Sequence, residues 1–198
     1  MTALFVIEAP LKIKALKETL EHLEIDAKVV ATKGHIMQMP ERLTPLAIDR
    51  TFQEQGRAPR DPEALVRLRE TARECDALYI ATDADQEGDV IAWDVHEVLK
   101  DIFPQTLRVK LRGMDRKSVE EAIREASPIR KEDAVPGRTR AILDRMIGGL
   151  FSHDGVAVGR VSTALLGIVA KHTPATATLR LQAPDEGRGR PWNAEFPV

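Results

Sequence analysis

Two apolar runs in this chain stop at acidic residues. Ala3-Leu-Phe-Val-Ile7 is followed at once by Glu8, and the run Ala77 to Ala81 is followed, after Thr82, by Asp83. Short continuous apolar runs bounded by polar residues predict buried strands. After the first, Ile13, Leu16, Leu20 and Leu23 recur at helical spacing, with Pro10 at a helix start, where its missing N–H costs little. After the second, Val90, Ile91, Val95, Val98, Leu99 and Ile102 recur in the same way. Each stretch therefore reads as strand, turn, helix. Glu8 and Asp83 fall at the C-terminal ends of their strands, the edge beyond which open α/β sheets bind ligands.

The remaining pattern extends this unit. Ala27 to Thr32 predicts another strand leading into Lys33-Gly34-His35, and Met37 and Met39 look like gap-fillers at a domain seam. Residues 41–62 show little periodicity and predict a long exposed connection. Pro62 to Glu74 predicts a helix with Leu65, Leu68 and Ala72 inward, and Thr106 to Leu111 alternates as a strand does. The order βαβ, loop, αβαβ implies an α/β fold with an open, largely parallel sheet flanked by helices. Beyond Gly113 the character becomes helical. One helix opens at Asp115 with Val119, Ala122, Ile123 and Ala126 on one face, and another covers Ala141 to Leu150 with Leu143, Met146, Ile147 and Leu150 inward. A third, Val161 to Ala170, is apolar on nearly every side and is expected to be buried. Strands over 175–182 and 192–198 surround a turn at Asp185 to Arg190. The expected organisation is an α/β domain at 1–113, a smaller helical module at 114–173 and the start of a β segment at 174–198. A chain that stops on a sheet element suggests that more protein follows.

Composition sharpens this in two places. With 198 residues and 43% hydrophobic content the chain can bury one substantial core and a smaller second one. Its single cysteine, Cys75, excludes an internal disulfide and a cysteine-rich zinc site. No apolar run reaches the length of a membrane span and the start lacks a signal-peptide pattern, so a cytoplasmic protein is expected. The net charge of -2 hides an asymmetry: 13 basic against 20 acidic residues up to Leu107, then 13 basic against 8 acidic from Arg108 to His172. An acidic body beside a basic one suggests a metal-binding half next to a polyanion-binding half.

The acids concentrate in Asp83-Ala-Asp85-Gln-Glu87. Three carboxylates in five residues repel one another, and a hard divalent cation such as Mg²⁺ would offset that repulsion. The same residues also suit an acidic helix start, which favours Asp and Glu through its dipole and free N–H groups. Lys12 and Lys14 oppose the dipole of their own helix, which makes a phosphate-facing role plausible for at least one. Gly34-His35 can present an imidazole at the same edge. Arg138 and Arg145, seven apart, share a helix face, and Arg160 sits in Gly159-Arg-Val-Ser-Thr163. An unpaired arginine row beside a helix N-terminus would suit a nucleic-acid backbone.

Glu8 on one strand end, Asp83-Ala-Asp85-Gln-Glu87 on another, and Gly34-His35 between them resemble the Toprim domain. Five stretches occur in the order seen in type IA DNA topoisomerases: Val6-Ile-Glu-Ala-Pro-Leu-Lys12, Lys33-Gly-His-Ile36, Ala81 to Trp93, Leu143-Asp-Arg-Met-Ile-Gly148 and Gly159-Arg-Val-Ser162. The resemblance covers about residues 3 to 170. In that family a tyrosine attacks a phosphodiester of single-stranded DNA and holds the 5′-phosphate while another strand passes. By motif, the resemblance implies Glu8 as general acid and base and Lys12 as neutraliser of the scissile phosphate, with His35 assisting. It implies Asp83, Asp85 and Glu87 as Mg²⁺ ligands, Glu8 being a further possible one, and Arg138, Arg145, Arg160 and Ser162 as contacts to single-stranded or underwound DNA.

Two positions depart from the family pattern: Gln86 stands where Arg is usual, and Ser162 where Gln is usual. The only tyrosine, Tyr79, lies inside a predicted buried strand, and the family's nucleophile belongs to a later domain. The resemblance thus implies an N-terminal topoisomerase portion that works with missing C-terminal domains and does not relax DNA alone. The rival readings are a free-standing Toprim nuclease using metal-activated water and a non-catalytic module that binds single-stranded DNA.

Overall fold

All five residues of the first strand, β1 (Ala3–Ile7), are buried, because both of its faces are covered. A 3₁₀ turn at Pro10–Lys12 leads into α1 (Ile13–His22), which buries Leu16 and Leu20. There follow β2 (Ala27–Ala31), β3 (Met37–Gln38), β4 (Ala58–Pro59), α2 (Pro62–Arg73), β5 (Ala77–Ile80) and α3 (Gln86–Leu99). Then come β6 (Leu107–Arg108), α4 (Arg116–Arg124), β7 (Ser127–Pro128), α5 (Lys131–Phe151), α6 (Ser162–His172), β8 (Thr178–Gln182) and β9 (Asn193–Pro197). The structure, a computed structural model, describes residues 1–40 and 47–172 in full and the backbone of 178–182 and 193–197. The chain divides into two units, Met1–Gly149 and Leu150–Val198.

In the first unit the sheet order is β2-β1-β5-β6-β7, parallel throughout except for the last pair. This is the open, largely parallel sheet that the alternation of strands and helices predicts. Side chains alternate across β1, so its two faces serve two cores. Leu4 and Val6 join Leu68, Leu78, Ile80, Ile91, Val95 and Leu99 beneath α2 and α3. Phe5 and Ile7 join Leu16, Leu20, Val109, Val119 and Ala122 beneath α1 and α4. Asp61, Asp85 and Asp115 cap α2, α3 and α4, each accepting from a backbone N–H three residues on. Cys75 packs against the first core, and its Sγ donates to the Thr71 carbonyl.

Three expectations need correction. Residues 41–62 are not simply an exposed connection: β4 pairs antiparallel with β3, Ile48 bridges Glu54, and the Glu54 side chain is buried. Ion pairs hold this segment, and they leave no trace in hydrophobic periodicity. Residues 41–46 of it lie outside the described residues. The helix expected at Ala141 begins ten residues earlier, runs through Pro136, and exposes Leu143 and Leu150 instead of turning them inward. Its buried positions are Ala134 and Gly137. A Cβ on Gly137 would lie 2.5 Å from the Gln86 carbonyl oxygen and 2.6 Å from Val90 Cγ2, so a residue that reads as a helix breaker is what lets α5 approach α3.

In the second unit, Asp154 and Gly155 turn the chain with positive φ, and α6 follows. The burial expected for α6 is also corrected, since it buries no residue and Leu166 is 68% exposed. The β8–β9 hairpin pairs Thr178 with Pro197 through Gln182 with Asn193. The predicted turn at Asp185 to Arg190 and the strand ends Trp192 and Val198 lie outside the described residues. No helix among the described residues is long and apolar enough to cross a membrane.

Candidate active site

β1 and β5 are parallel neighbours, paired from Ala3 with Ala77 to Val6 with Ile80, and the Ala81 N–H donates to the Val6 carbonyl at 2.7 Å. Their ends therefore emerge side by side. Glu8 leaves one and Asp83 the other. The turn after Glu8 closes when the Lys12 N–H donates to the Ala9 carbonyl, and Lys12 Nζ then reaches across to donate to Asp83 Oδ1 at 2.6 Å. β2 lies on the other side of β1. Beyond it Lys33 and Gly34 adopt successive positive φ values of 59° and 98°, which turn His35 toward the same edge. His35 Nε2 lies 2.6 Å from Glu87 Oε2.

The turn from β5 into α3 is the most constrained part of the site. Thr82, fully buried, donates from Oγ1 to the Gly88 carbonyl at 2.7 Å, and the Gly88 N–H donates to Asp85 Oδ1 at 2.7 Å. A Cβ on Gly88 would lie 2.0 Å from the Asp83 carbonyl oxygen, so only glycine allows the chain to fold back this closely. Arg108, on β6 and 4% exposed, holds the turn from below. Its guanidinium donates to the carbonyls of Thr82 at 2.8 Å, Asp83 at 2.7 Å and Val109 at 3.0 Å, and to Asp89 Oδ1 at 3.0 Å. Sequence reasoning missed Arg108, Gly88 and Asp89. The available signal was a lone cation within an alternating strand directly after the acidic motif.

The three acids engage three different protein groups: Asp83 binds Lys12, Asp85 caps α3, and Glu87 meets His35. Among the described residues no three His, Cys, Asp or Glu side chains are grouped as metal ligands. The donors nevertheless fit a hard cation in kind, being carboxylate oxygens gathered at one sheet edge. Glu8 registers that gathering. Its carboxyl is raised above the ordinary 4.5, first by burial and then by the charges of Asp83 and Asp85, against the opposing influence of His35 and Lys12.

The arginines of α5 are not the unpaired row expected. Arg138 donates through Nε to Glu54 Oε2 at 2.8 Å and through a second nitrogen to the same oxygen. Arg145 donates to the Pro40 carbonyl. Arg57 makes a two-pronged pair with the buried Asp94, at 2.8 and 2.6 Å. Arg57 Nε lies 3.7 Å from Glu54, so Asp94, Arg57, Glu54 and Arg138 form one chain of alternating charge between α3, the segment after β3 and α5. In the second unit Arg160 is exposed and Ser162 opens α6, with its Oγ 3.4 Å from the Gly159 carbonyl. Tyr79 stacks on the buried Phe5, with ring centroids 4.9 Å apart, and so belongs to the core.

Residues 3–112 match the Toprim domain family. Among curated relatives, DNA topoisomerase 1 of Campylobacter jejuni is 29% identical over 175 residues, covering 84% of this chain and 25% of its own length. Reverse gyrase of Thermococcus kodakarensis is 34% identical over 113 residues, covering 53% of this chain and 7% of its own. The structure of full-length topoisomerase I from Thermotoga maritima superposes with a TM-score of 0.71 at 24% identity, over 98% of this chain and 34% of that one, a likeness of fold. The chain thus spans about a quarter of the length of the topoisomerase it matches in Campylobacter.

Proposed function

Since the chain belongs to the Toprim-domain family, with DNA topoisomerases as its homologues, we propose that it is the metal- and DNA-binding portion of a type IA DNA topoisomerase acting on single-stranded or underwound DNA. The observation that carries this is the convergence of two strand ends: Glu8 on β1 beside Asp83 and Asp85 after β5, close enough for the aspartates to raise the Glu8 carboxyl. A glutamic acid that keeps its proton to higher pH than usual suits a group that must protonate a leaving 3′-hydroxyl and recover that proton on rejoining. Lys12, hydrogen-bonded to Asp83, would exchange that partner for the scissile phosphate. Mg²⁺ would be held by Asp83, Asp85 and Glu87, with Glu8 as a further ligand, and supplies Lewis-acid stabilisation of phosphate charge when bound. His35, tied to Glu87, would orient that carboxylate and assist at the phosphate. Arg138, Arg145, Arg160 and Ser162 would contact the backbone of the bound strand.

Tyr79 is committed to the core, so the nucleophile of this reaction comes from outside these 198 residues. The purified chain should bind Mg²⁺ in calorimetry in the presence of a short single strand, with binding lost in Asp83→Asn/Asp85→Asn, and it should leave supercoiled plasmid unrelaxed. Relaxation by the chain alone would contradict the assignment of the nucleophile. Nicking that depends on Mg²⁺ and Asp83 but leaves no protein on the DNA would replace the topoisomerase reading with the nuclease one.

A further inference from the structure

Between the outer edge of β2 and the face of α2 lies a cavity of about 430 Å³, within the range of small-ligand sites. Its walls are largely apolar, formed by Val30, Ile36, Leu65 and Leu68. Two features distinguish it from a packing gap. β2 is an edge strand, and its register with β1 turns the N–H and C=O of Ala31 away from the sheet, leaving a donor and an acceptor side by side. Lys33 and Arg60 line the cavity, neither of them in an ion pair among the described residues. His35 and Arg60 line both this cavity and the neighbouring one, which Glu87 also lines.

A cavity with apolar walls, a donor–acceptor pair along one of them and cations among its lining residues has the chemistry of a nucleotide site. We propose that this cavity takes one base of the bound single strand, hydrogen-bonded to the free edge of β2, while the flanking phosphates lie on Lys33 and Arg60. The proposal rests on the DNA-binding reading and names a base-dependent subsite within it, where backbone grip alone would be indifferent to the presence of bases.

The test uses the 198-residue chain and two oligonucleotides of equal length and charge, one normal and one fully abasic. Ala64 is an exposed α2 residue lining the cavity, so Ala64→Trp fills the space without touching the core; thermal unfolding checks that the variant is folded. The wild-type chain is expected to bind the normal strand at least tenfold more tightly than the abasic one, with amide shifts at Ala31 and Thr32. In Ala64→Trp that preference should fall at least threefold while affinity for the abasic strand stays the same. An unchanged preference in the variant, or silent Ala31 and Thr32 amides, overturns the subsite and leaves the DNA reading intact. Binding of neither strand, with dAMP alone shifting Ala31, overturns both and makes the cavity a site for free nucleotides.

Discussion

Replacing Arg108 by methionine keeps most of the side-chain volume and removes every hydrogen bond beneath the acidic turn. Four main-chain carbonyls, those of Ile80, Thr82, Asp83 and Val109, lose a donor, and Asp89 loses its closest cation, with only Lys110 left at 3.8 Å. Removing one member of a buried ion pair costs about 3–5 kcal/mol. Lys110 remains near Asp89, which places the expected cost in the lower half of that range, about 3–4 kcal/mol. For a chain of this size each kcal/mol corresponds to roughly 2–4 °C in melting temperature, so a fall of about 6–16 °C is expected. Urea unfolding followed by far-UV circular dichroism measures the free energy, and the cycle with Asp89→Leu measures the coupling. The double variant should be more stable than the sum of the single ones by at least about 1 kcal/mol, because the orphaned carboxylate is gone. A loss below about 1 kcal/mol for Arg108→Met, or strict additivity in the cycle, would show that the guanidinium does not hold the turn.

Gly88→Ala should destabilise the chain by about 1–3 kcal/mol or more, since the new methyl meets a backbone carbonyl that cannot rotate away; wild-type stability in the same titration would contradict the 2.0 Å approach. Glu54→Gln weakens the hold on Arg138 and should raise affinity for single-stranded DNA threefold to tenfold at low salt, with a slope against log salt steeper by about 0.7; anisotropy titrations that show no change would mean Arg138 does not reach the strand. Glu8 binds its proton more tightly folded than unfolded, so its contribution to stability is present below 4.5 and is lost as pH rises through its raised value. Glu8→Gln should therefore be more favourable to stability at pH 7 than at pH 4, and Asp83→Asn should lower the Glu8 titration seen by carboxyl ¹³C shifts; the opposite sign in either experiment refutes the electrostatic account.

The strand ends were legible because β1 is a short apolar run buried on both faces and β5 one buried on one face and half-buried on the other, so that each writes itself as an unbroken run. Glu8 and Asp83 could be placed on one sheet edge from that pattern alone, and the resemblance then supplied roles that the structure leaves open. Arg108 was not legible, since one cation in an alternating strand looks like any solvent-facing residue until its fork is seen to meet main-chain carbonyls. The segment after β3 was misread for a related reason. Arg57 with Asp94 and Arg138 with Glu54 hold it through charges far apart in sequence, which no local window reveals. The early start of α5 was hidden by Pro136 and Gly137, residues that argue against a helix locally but are accommodated here by packing. For α6 the sequence pattern was sound in kind, yet apolarity reports what a helix needs and not what lies beside it.

The contact between Gly137 and the first turn of α3 sets a fixed scale for the molecule. Because backbone meets backbone there, no rotamer can lengthen or shorten the offset between the helix that carries Arg138 and Arg145 and the turn that carries the acids. If, as proposed, those arginines hold a single strand, the main chain and not the side chains would set how far the held phosphates lie from the carboxylates.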